Sequence, residues 1–176
     1  MNHKLKESLK ACQALQYGDF TLASGKHSKY YIDIKKASTD PAILSDIAKD
    51  MEAEMKRKGI MVDRIAGVVL GSVPLAVALS LRTGIPYVMV RKEKKDHGTG
   101  KLIEGVLTAG MSVLVVEDVV TSAGSSAEAI AILRDAGAKV DNVLAVIDRQ
   151  EGGEARLSGI GVRLVPLLTA EEVLRD

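Results

Sequence analysis

Short apolar runs alternate along the chain with longer segments in which apolar residues recur every three or four positions. A run of β-branched residues and leucine without polar alternation is typical of a strand buried on both faces of a parallel sheet. Segments with the longer recurrence are typical of helices packed against such a sheet. The segments predicted as strands of the sheet are Arg64–Leu70, Pro86–Val90, Val113–Val116, Val143–Ile147 and Val162–Leu168.

Helices are predicted before and between these strands, and several of their ends carry capping residues. Asp40-Pro41 is a strong helix start, because the acid caps free amides and proline fits the first turn. The apolar stripe that follows ends at Lys58-Gly59. Thr169 to Glu172 has the capping-box pattern of a short C-terminal helix. The remaining predicted elements are helices at Lys4–Leu15, Leu75–Arg82 and Ala127–Ala136, and a hairpin-like pair of short strands within Phe20–Lys36.

Strands that alternate with helices indicate an α/β fold, with a mainly parallel central sheet flanked by helices and joined by right-handed crossovers. A chain of this length is one ordinary domain of that class, so residues 1–176 are expected to form a single domain. The sequence contains no internal repeat, low-complexity segment or linker.

Composition and charge argue against several kinds of partner. Lys and Arg number 24 against 23 Asp and Glu, so no general attraction to nucleic acid or to anionic membranes is expected. The uncharged run 65–81 is shorter than the ~20 residues of a membrane span and is interrupted by Gly71 to Pro74. Cys12 is the only cysteine, which fits a reducing, cytoplasmic compartment, and its helical spacing predicts core packing. The N-terminus lacks the apolar core of a signal peptide.

The most informative segment is Val113–Ser126, which passes from an apolar strand through two adjacent acids into a loop of small residues. Residues Thr121–Ser125 can direct several backbone N–H groups to one point at a helix N-terminus, where phosphate groups bind. Glu117 and Asp118 lie where a parallel sheet opens into its crevice, and two carboxylates there suit the hydroxyls of a ribose. The alternative is that both acids are solvated loop residues or helix caps. The segment lacks the Walker ending and the three glycines of a dinucleotide loop, so we interpret it as a ribose-phosphate site.

A second segment, Arg91–Gly105, follows directly on the predicted strand Pro86–Val90 and concentrates positive charge. The carboxyl ends of the strands are where open α/β sheets bind ligands. The segment combines several cations with one histidine and the flexible Gly98-Thr-Gly100, a composition that suits a lid closing over anionic groups. The alternative is a solvated surface loop.

These segments resemble a known family. Val115–Ser126 resembles the phosphoribosyl-pyrophosphate-binding motif of the type I phosphoribosyltransferases. Arg91–Gly105 is similar to the mobile catalytic loop of the orotate phosphoribosyltransferases within that family, which reads Arg-Lys-x-x-Lys-x-His-Gly-x-Gly and ends in Glu-Gly. Ser24–Asp33 is similar to their N-terminal orotate-side segment, and Ile147–Gly152 matches their Asp-Arg element. The four matches occur in family order and span nearly the whole chain.

The resemblance implies a fold, a reaction and an assembly. The N-terminal segment, about residues 1–36, and part of the C-terminus would form a small hood over the sheet. The reaction would be the Mg²⁺-dependent transfer of the 5-phosphoribosyl group from phosphoribosyl pyrophosphate to orotate, giving orotidine 5′-monophosphate and pyrophosphate in pyrimidine (UMP) biosynthesis. Mg²⁺ would be held mainly by the substrate, with no direct protein ligand. The active unit would be a homodimer in which loop residues 92–101 of one subunit complete the partner's site.

The resemblance also implies roles for individual residues. The catalytic candidates are Lys95, His97, Glu117 and Asp118. Phosphoribosyl pyrophosphate is expected to contact Arg91, Lys92, Lys95, His97, Glu117, Asp118, Val119, Val120, Thr121, Ser122, Ala123, Gly124 and Ser125. Orotate is expected to contact Thr121, Arg149 and the backbone of Tyr31 and Ile32, although Arg149 could instead only pair with Asp148 or Glu151. Two lysine positions of some relatives are replaced here by Ala23 and by the loop Gly71-Ser-Val73, so Lys26, Gly71 and Ser72 are the further candidates for pyrophosphate contacts.

Two other functions are compatible with parts of the pattern. A phosphoribosyltransferase for another nucleobase would keep the ribose-phosphate segment but would not be expected to have the basic loop of Arg91–Gly105. A non-catalytic regulator that binds phosphoribosyl pyrophosphate would tolerate a damaged loop and usually carries a nucleic-acid-binding segment, and no added basic domain is visible in the sequence.

Overall fold

The computed structural model of the chain describes residues 3–21, 27–92 and 101–175. In this part of the chain a two-stranded hairpin packs beside a six-stranded sheet with the strand order β5-β4-β3-β6-β7-β8. The elements, in chain order, are α1 (His3–Ala11), β1 (Leu15–Thr21), β2 (His27–Ile32), α2 (Ile34–Ser38), α3 (Pro41–Lys58), β3 (Arg64–Val68), α4 (Val73–Thr83), β4 (Tyr87–Val90), β5 (Ile103–Glu104), β6 (Ser112–Val120), α5 (Gly124–Asp135), β7 (Lys139–Asp148), α6 (Gly153–Ser158), β8 (Arg163–Thr169) and α7 (Ala170–Leu174).

The sheet is mainly parallel, as the alternation of apolar segments predicts. Strands β4, β3, β6, β7 and β8 run in one direction, and the two-residue strand β5 pairs antiparallel with β4 at the edge. Two apolar clusters form its faces. One holds the inner sides of α1, α3 and α4 together with Leu114 and Val116 of β6. The other holds α5 and α6 together with Val113 and Val115. The sheet is thus covered on both faces, which explains why its central strands are apolar without alternation.

The predicted helix ends of α3 and α7 are confirmed. The Asp40 carboxylate accepts hydrogen bonds from the amides of Ala42 (2.9 Å) and Ile43 (3.0 Å), and Gly59 ends α3 in the left-handed conformation with φ 65°. Thr169 and Glu172 form the capping box of α7. Local sequence was sufficient at these positions because each cap involves residues only two to four apart.

The N-terminal hairpin and the C-terminal helix form the hood that the resemblance implies. The Tyr17 hydroxyl donates to the backbone carbonyl of Val173 (2.5 Å), and the Lys6 ammonium donates to that of Arg175. The hairpin also reaches the end of β7, where the Arg149 guanidinium lies over the Tyr30 ring, 4.8 Å from its centroid. The hood therefore covers the carboxyl edge of the sheet at β7.

Two boundaries in the N-terminal segment differ from the prediction. Helix α1 ends at Ala11 and not at Leu15, and Leu15 begins β1. Gln13 adopts a positive φ of 57°, and Leu15 pairs with Ile32 across the hairpin with 3% of its surface exposed. The hairpin-like pair was predicted to extend to Lys36, but its second strand ends at Ile32. Asp33 instead caps the short helix α2 by accepting a hydrogen bond from the Lys35 amide.

The segment Val113–Ser126 also differs from the prediction in its strand and helix boundaries. Strand β6 continues to Val120 and does not end at Val116, because it keeps pairing with β7 through Glu117 opposite Ala145 and Val119 opposite Ile147. Helix α5 begins at Gly124, three residues before the apolar recurrence starts. Both acids thus lie on a strand, which fixes the directions of their side chains. Strand β3 ends at Val68, before the predicted Leu70, whose side chain is 74% exposed.

Cys12 is partly buried and packs against the core, as its spacing predicts. Within the described ranges, no helix combines the length and the apolar character that crossing a membrane requires.

Candidate active site

Four parallel strands bring the site segments to one edge of the sheet. Backbone hydrogen bonds continue beyond the strand ends there, from the Val69 amide to the Val90 carbonyl (2.9 Å) and from the Arg149 amide to the Val120 carbonyl (2.8 Å). The loop after β3, Arg91 and Lys92 after β4, the acids of β6 and the Asp-Arg element after β7 are therefore neighbours. The parallel arrangement of the strands thus brings together residues that are up to about 80 positions apart in the sequence.

The loop between β6 and α5 has the geometry of a phosphate site. Ala123 precedes α5 with a left-handed φ of 56°, and its side chain is buried. The amides of the first turn of a helix have no partner within the helix and carry its positive dipole end, so those at the start of α5 are available to an anion. The residues Thr121, Ser122 and Ser125 are exposed beside them. This loop can thus hold a phosphoryl group by amides and hydroxyls.

The floor of this loop is closely packed. A methyl group at Gly153, the first residue of α6, would lie 2.5 Å from Val120 Cγ1 and 2.6 Å from the Thr121 carbonyl oxygen. Only a glycine lets α6 approach the end of β6 so closely. The position of the phosphate loop is therefore set from below by the start of α6, a contribution that the sequence did not reveal.

The two acids of the motif have different surroundings. Glu117 contacts Ser126 of α5, whereas Asp118 lies beside Gly71 in the loop after β3. Asp118 is partly exposed and accepts a hydrogen bond from the Val119 amide (2.8 Å). Glu117 is only 5% exposed. Asp118 is thus the more accessible of the two carboxylates.

The Glu117 carboxyl lies between two serines. Its Oε1 accepts a hydrogen bond from Ser126 Oγ (2.9 Å) in the first turn of α5, and its Oε2 lies 3.3 Å from Ser72 Oγ. Burial raises the pKa of Glu117 from 4.5 to about 7, with the Ser126 hydrogen bond and the Lys92 charge opposing the rise and the neighbouring Asp118 adding to it. Desolvation of the charged form outweighs the two serine contacts.

This raised pKa predicts a pH-dependent stability difference between the wild type and Glu117→Gln. Below pH 4.5 the carboxyl is protonated in both the folded and the unfolded chain, so its contribution to stability is fully present. Between pH 4.5 and about 7 the unfolded chain releases the proton while the folded chain keeps it, and stability falls by roughly 3 kcal/mol in total. Glutamine does not titrate. Urea unfolding of both proteins at pH 5 and pH 8 should show the wild type losing stability relative to the variant, and an unchanged difference would contradict a protonated Glu117.

The loop after β3 touches both acids. The Ser72 hydroxyl donates to the Val68 carbonyl (2.9 Å), and Ser72 is 1% exposed. A methyl group at Gly71 would collide with the carboxylate of Asp118. Of the two predicted pyrophosphate contacts in this loop, Gly71 has its backbone next to Asp118, whereas the Ser72 side chain is engaged inside the protein.

Arg91 and Lys92 begin the basic segment at the same edge. The Lys92 ammonium donates to Ser125 Oγ on the phosphate loop and lies 3.8 Å from a Glu128 oxygen. Arg91 Nε is buried without a hydrogen-bond partner in the described part of the chain, since the nearest carboxylate oxygen, on Glu104, is 3.9 Å away. Lys92 thus contacts the loop where a phosphate group is expected, whereas Arg91 lies beside Glu104 of β5. The predicted contacts Lys26, Lys95 and His97 lie outside the described residues.

Arg149 lies under the hood, where orotate binding is expected. Its Nε donates to Glu151 (2.7 Å), Nη2 lies 3.5 Å from Ser28 Oγ, and the side chain is 9% exposed. The pairing with Glu151 is one of the two alternatives open from the sequence, and the stacking on Tyr30 adds a contact that the sequence did not suggest. The guanidinium is therefore oriented before any ligand binds, and a planar anion could replace Glu151 as its partner.

The backbone of β2 offers a second contact for a planar ligand. The Asp33 amide donates to the Ala14 carbonyl (2.8 Å), so alternation along the hairpin turns the backbone groups of Tyr31 toward β1 and those of Ile32 toward the free edge. Of the two predicted orotate contacts in this strand, Ile32 has the available backbone. The Tyr31 ring packs against Phe20 with 5.6 Å between centroids.

The described residues contain no metal site built from protein ligands alone. No group of three or more His, Cys, Asp or Glu side chains there could hold an ion. The carboxyl edge offers Asp118 beside Glu117, whose oxygens contact serines. Such a donor set fits Mg²⁺ that is held by phosphate oxygens and water.

Comparison with known proteins shows which proteins the whole chain is similar to. The family model for the phosphoribosyl transferase domain matches residues 37–160. A curated relative from Methanosarcina mazei, named orotate phosphoribosyltransferase, is 51% identical over 172 residues, which are 98% of this chain and 91% of the relative. The crystal structure of orotate phosphoribosyltransferase from Aeropyrum pernix is 36% identical with a TM-score of 0.87 and covers 97% of this chain and 96% of its own.

A further solved structure is that of Mycobacterium tuberculosis orotate phosphoribosyltransferase in complex with 5-phospho-alpha-D-ribosyl 1-diphosphate. It is 28% identical, has a TM-score of 0.78, and covers 96% of this chain and 98% of its own. The chain therefore belongs to the phosphoribosyltransferase family, in its group of orotate phosphoribosyltransferases.

Proposed function

We propose that the protein transfers the 5-phosphoribosyl group from phosphoribosyl pyrophosphate to orotate, forming orotidine 5′-monophosphate and pyrophosphate. The observation that carries this proposal is the meeting of three groups at one sheet edge: the amide-lined loop before α5, the partly exposed Asp118, and Arg149 under the hood. They match the phosphate, the ribose and the carboxylate of the two substrates. The names of the similar proteins support the same reaction.

The proposed chemistry breaks the bond between ribose C1 and the pyrophosphate oxygen while a ring nitrogen of orotate forms the new bond to C1. Positive charge develops on the ribose, and the leaving pyrophosphate gains negative charge. Glu117 and Asp118 would bind the ribose hydroxyls and stabilise the positive charge. Arg91 and Lys92, with Lys95 and His97 of the loop, would stabilise the leaving group, because such contacts strengthen in the transition state. Closure of the loop would exclude water from the activated sugar.

Orotate is an electron-poor anion, so its ring nitrogen can attack without a strongly basic side chain. Its carboxylate needs a cation, and Arg149 can supply a bidentate contact. The amide of Ile32 and the hydroxyl of Thr121 would hold the ring. The residues Val119–Ser125 would hold the 5′-phosphate by backbone amides and hydroxyls.

We propose that Mg²⁺ accompanies phosphoribosyl pyrophosphate and is held by its oxygens. The ion would neutralise part of the pyrophosphate charge when bound. We also propose a cytoplasmic homodimer in which residues 92–101 of one subunit complete the site of the other. The support is the likeness of Arg91–Gly105 to the family's catalytic loop and, for the compartment, the single cysteine.

The reaction is tested by following the absorbance change of orotate with phosphoribosyl pyrophosphate and Mg²⁺. We expect turnover with orotate and none with uracil, adenine or hypoxanthine. Turnover with another base in place of orotate would reassign the acceptor. Binding of phosphoribosyl pyrophosphate without any turnover would favour a regulatory protein.

Arg149→Ala is expected to raise the KM for orotate by about 10- to 100-fold while changing the KM for phosphoribosyl pyrophosphate little. The variant removes a charge-assisted contact to the orotate carboxylate. Arg149→Lys should recover only part of the loss, because a lysine keeps the charge but not the two parallel bonds. Steady-state kinetics with each substrate varied in turn gives both constants. Exposed Arg57, which pairs with Glu54 on α3, is the matched control, and equal effects of Arg57→Ala would contradict the role of Arg149.

A further inference from the structure

Helix α7 contacts both parts of the chain that surround Arg149, namely the turn after β7 and the N-terminal hairpin. We propose that α7 positions Arg149 for orotate, with Gln150 and Tyr17 as the positioning residues that connect it to the turn and to the hairpin. The inference rests on the proposed function for the identity of the acceptor. It adds a third support, near the end of the chain, to a subsite that otherwise consists of β2 and the turn after β7.

The turn after β7 is held on both sides of Arg149. The Arg149 amide donates to the Val120 carbonyl (2.8 Å), and the Gln150 amide donates to the buried Asp148 carboxylate (2.9 Å). Gln150 adopts a left-handed φ of 57°, which is uncommon for a residue with a Cβ and persists only where surrounding contacts hold it. The position of Gln150 is therefore determined by contacts and not by its own backbone preference.

The Gln150 side chain supplies one of the contacts that cap α7. The first amides of a helix have no partner within the helix. The Thr169 hydroxyl accepts from the Glu172 amide (3.2 Å), whereas the Glu171 amide donates to Gln150 Oε1 (2.9 Å). A residue next to Arg149 thus completes the cap of a helix whose first turn lies 21 residues further along the chain.

The hairpin is connected to the same helix. The Tyr17 hydroxyl of β1 donates to the carbonyl of the fully buried Val173 (2.5 Å). Tyr17 pairs across the hairpin with Tyr30 of β2, and the Arg149 guanidinium lies over the Tyr30 ring, 4.8 Å from its centroid. The contacts therefore close a ring that runs from Arg149 through the hairpin and α7 to Gln150.

This ring restricts the movement of Arg149. A bidentate contact to a carboxylate requires two N–H groups of the guanidinium in a fixed direction. A side chain that is ordered before the ligand arrives loses less conformational entropy on binding. The ring contains no residue of the phosphate loop Thr121–Ser125. A weaker connection to α7 should therefore reduce the affinity for orotate and leave that for phosphoribosyl pyrophosphate nearly unchanged.

Gln150→Ala is expected to raise the KM for orotate about three- to tenfold, with kcat and the KM for phosphoribosyl pyrophosphate within about twofold of the wild type. Gln13→Ala is the matched control, because Gln13 has the same left-handed φ of 57° and an exposed side chain. Steady-state kinetics with each substrate varied in turn gives the three constants. An unchanged KM for orotate in Gln150→Ala, or an equal rise in Gln13→Ala, would overturn the proposal.

Tyr17→Phe removes the other connection to α7 and should raise the KM for orotate by a similar factor. In the double variant the combined rise should be smaller than the product of the two single rises, because the first change already opens the ring. Effects that multiply would show two independent contacts and would contradict the ring.

A measurement without substrate separates this inference from the proposed function. The Nε–H signal of Arg149 in ¹⁵N NMR spectra, identified by its absence in Arg149→Ala, is expected to be shifted by the ring current of Tyr30. Gln150→Ala should move or broaden this signal, and Gln13→Ala should leave it in place. An unmoved signal in Gln150→Ala would overturn the positioning role even in an active orotate phosphoribosyltransferase. A moved signal in a protein that does not turn over orotate would support the positioning of Arg149 and overturn the proposed acceptor.

Discussion

Replacement of Asp118 by Asn is expected to lower kcat by about 100-fold or more and to leave the protein folded. An opposite charge at ~4 Å and an effective dielectric of 20 contributes at most about 4 kcal/mol before desolvation costs, and part of this should act on the cationic transition state. Asparagine keeps an acceptor for a ribose hydroxyl but has no charge. Since Asp118 is partly exposed and contacts the neighbouring Val119 amide, little stability should be lost.

Steady-state kinetics and urea unfolding of the Asp118→Asn variant provide the measurement. Asp141→Asn is the matched control, because it makes the same change at an exposed aspartate near the amino end of β7. We expect the control to keep most of the turnover. A small loss in Asp118→Asn would show that the ribose cation is stabilised by other groups.

The second large effect is expected at Lys95. Lys95→Ala should lower kcat by about 100- to 1,000-fold and change orotate binding little, because a cation on the leaving pyrophosphate acts mainly in the transition state. Lys95 lies outside the described residues, so this expectation comes from the family pattern of Arg91–Gly105. Lys58, exposed in the last turn of α3, is the matched control. Equal loss of turnover and of orotate affinity would point to a role in binding only.

A mixture of two inactive variants tests whether the loop acts across subunits. If Lys95 enters the partner's site, a heterodimer of Lys95→Ala and Asp118→Asn has one site with both residues intact and one with neither. Random exchange of subunits should then restore about a quarter of the wild-type activity, since half the dimers are mixed and each has one intact site. Activity that stays at the level of the separate variants would place the loop in its own subunit's site.

The sequence predicted the features of the site that depend on neighbouring residues. The order of strand, acids, small residues and helix in Val113–Ser126 was sufficient to predict a loop that opens a helix, because this geometry is set by consecutive residues. The parallel sheet followed from apolar strands separated by helices, and that arrangement placed Arg149 and the Arg91 segment at the same edge.

Features that depend on distant residues could not be predicted in this way. The different surroundings of Glu117 and Asp118 follow from Ser72, which is 45 residues from Glu117, and from the extension of β6 through both acids. The stacking of Arg149 on Tyr30 joins the two ends of the chain through the hood. The strand at Leu15 was missed because its apolar spacing continues that of α1, and pairing with Ile32 decides its conformation.

The hydrogen bonds that hold the hood in place join the two ends of the chain, which affects the order in which the protein folds during translation. Tyr17 and Lys6 belong to the first elements to be made, but they bind carbonyls of Val173 and Arg175, which follow all the strands of the described sheet in the chain. The hood can therefore reach its final position only after all strands of the described sheet have been translated. A nascent chain would thus complete this sheet before its N-terminal hairpin is held in place.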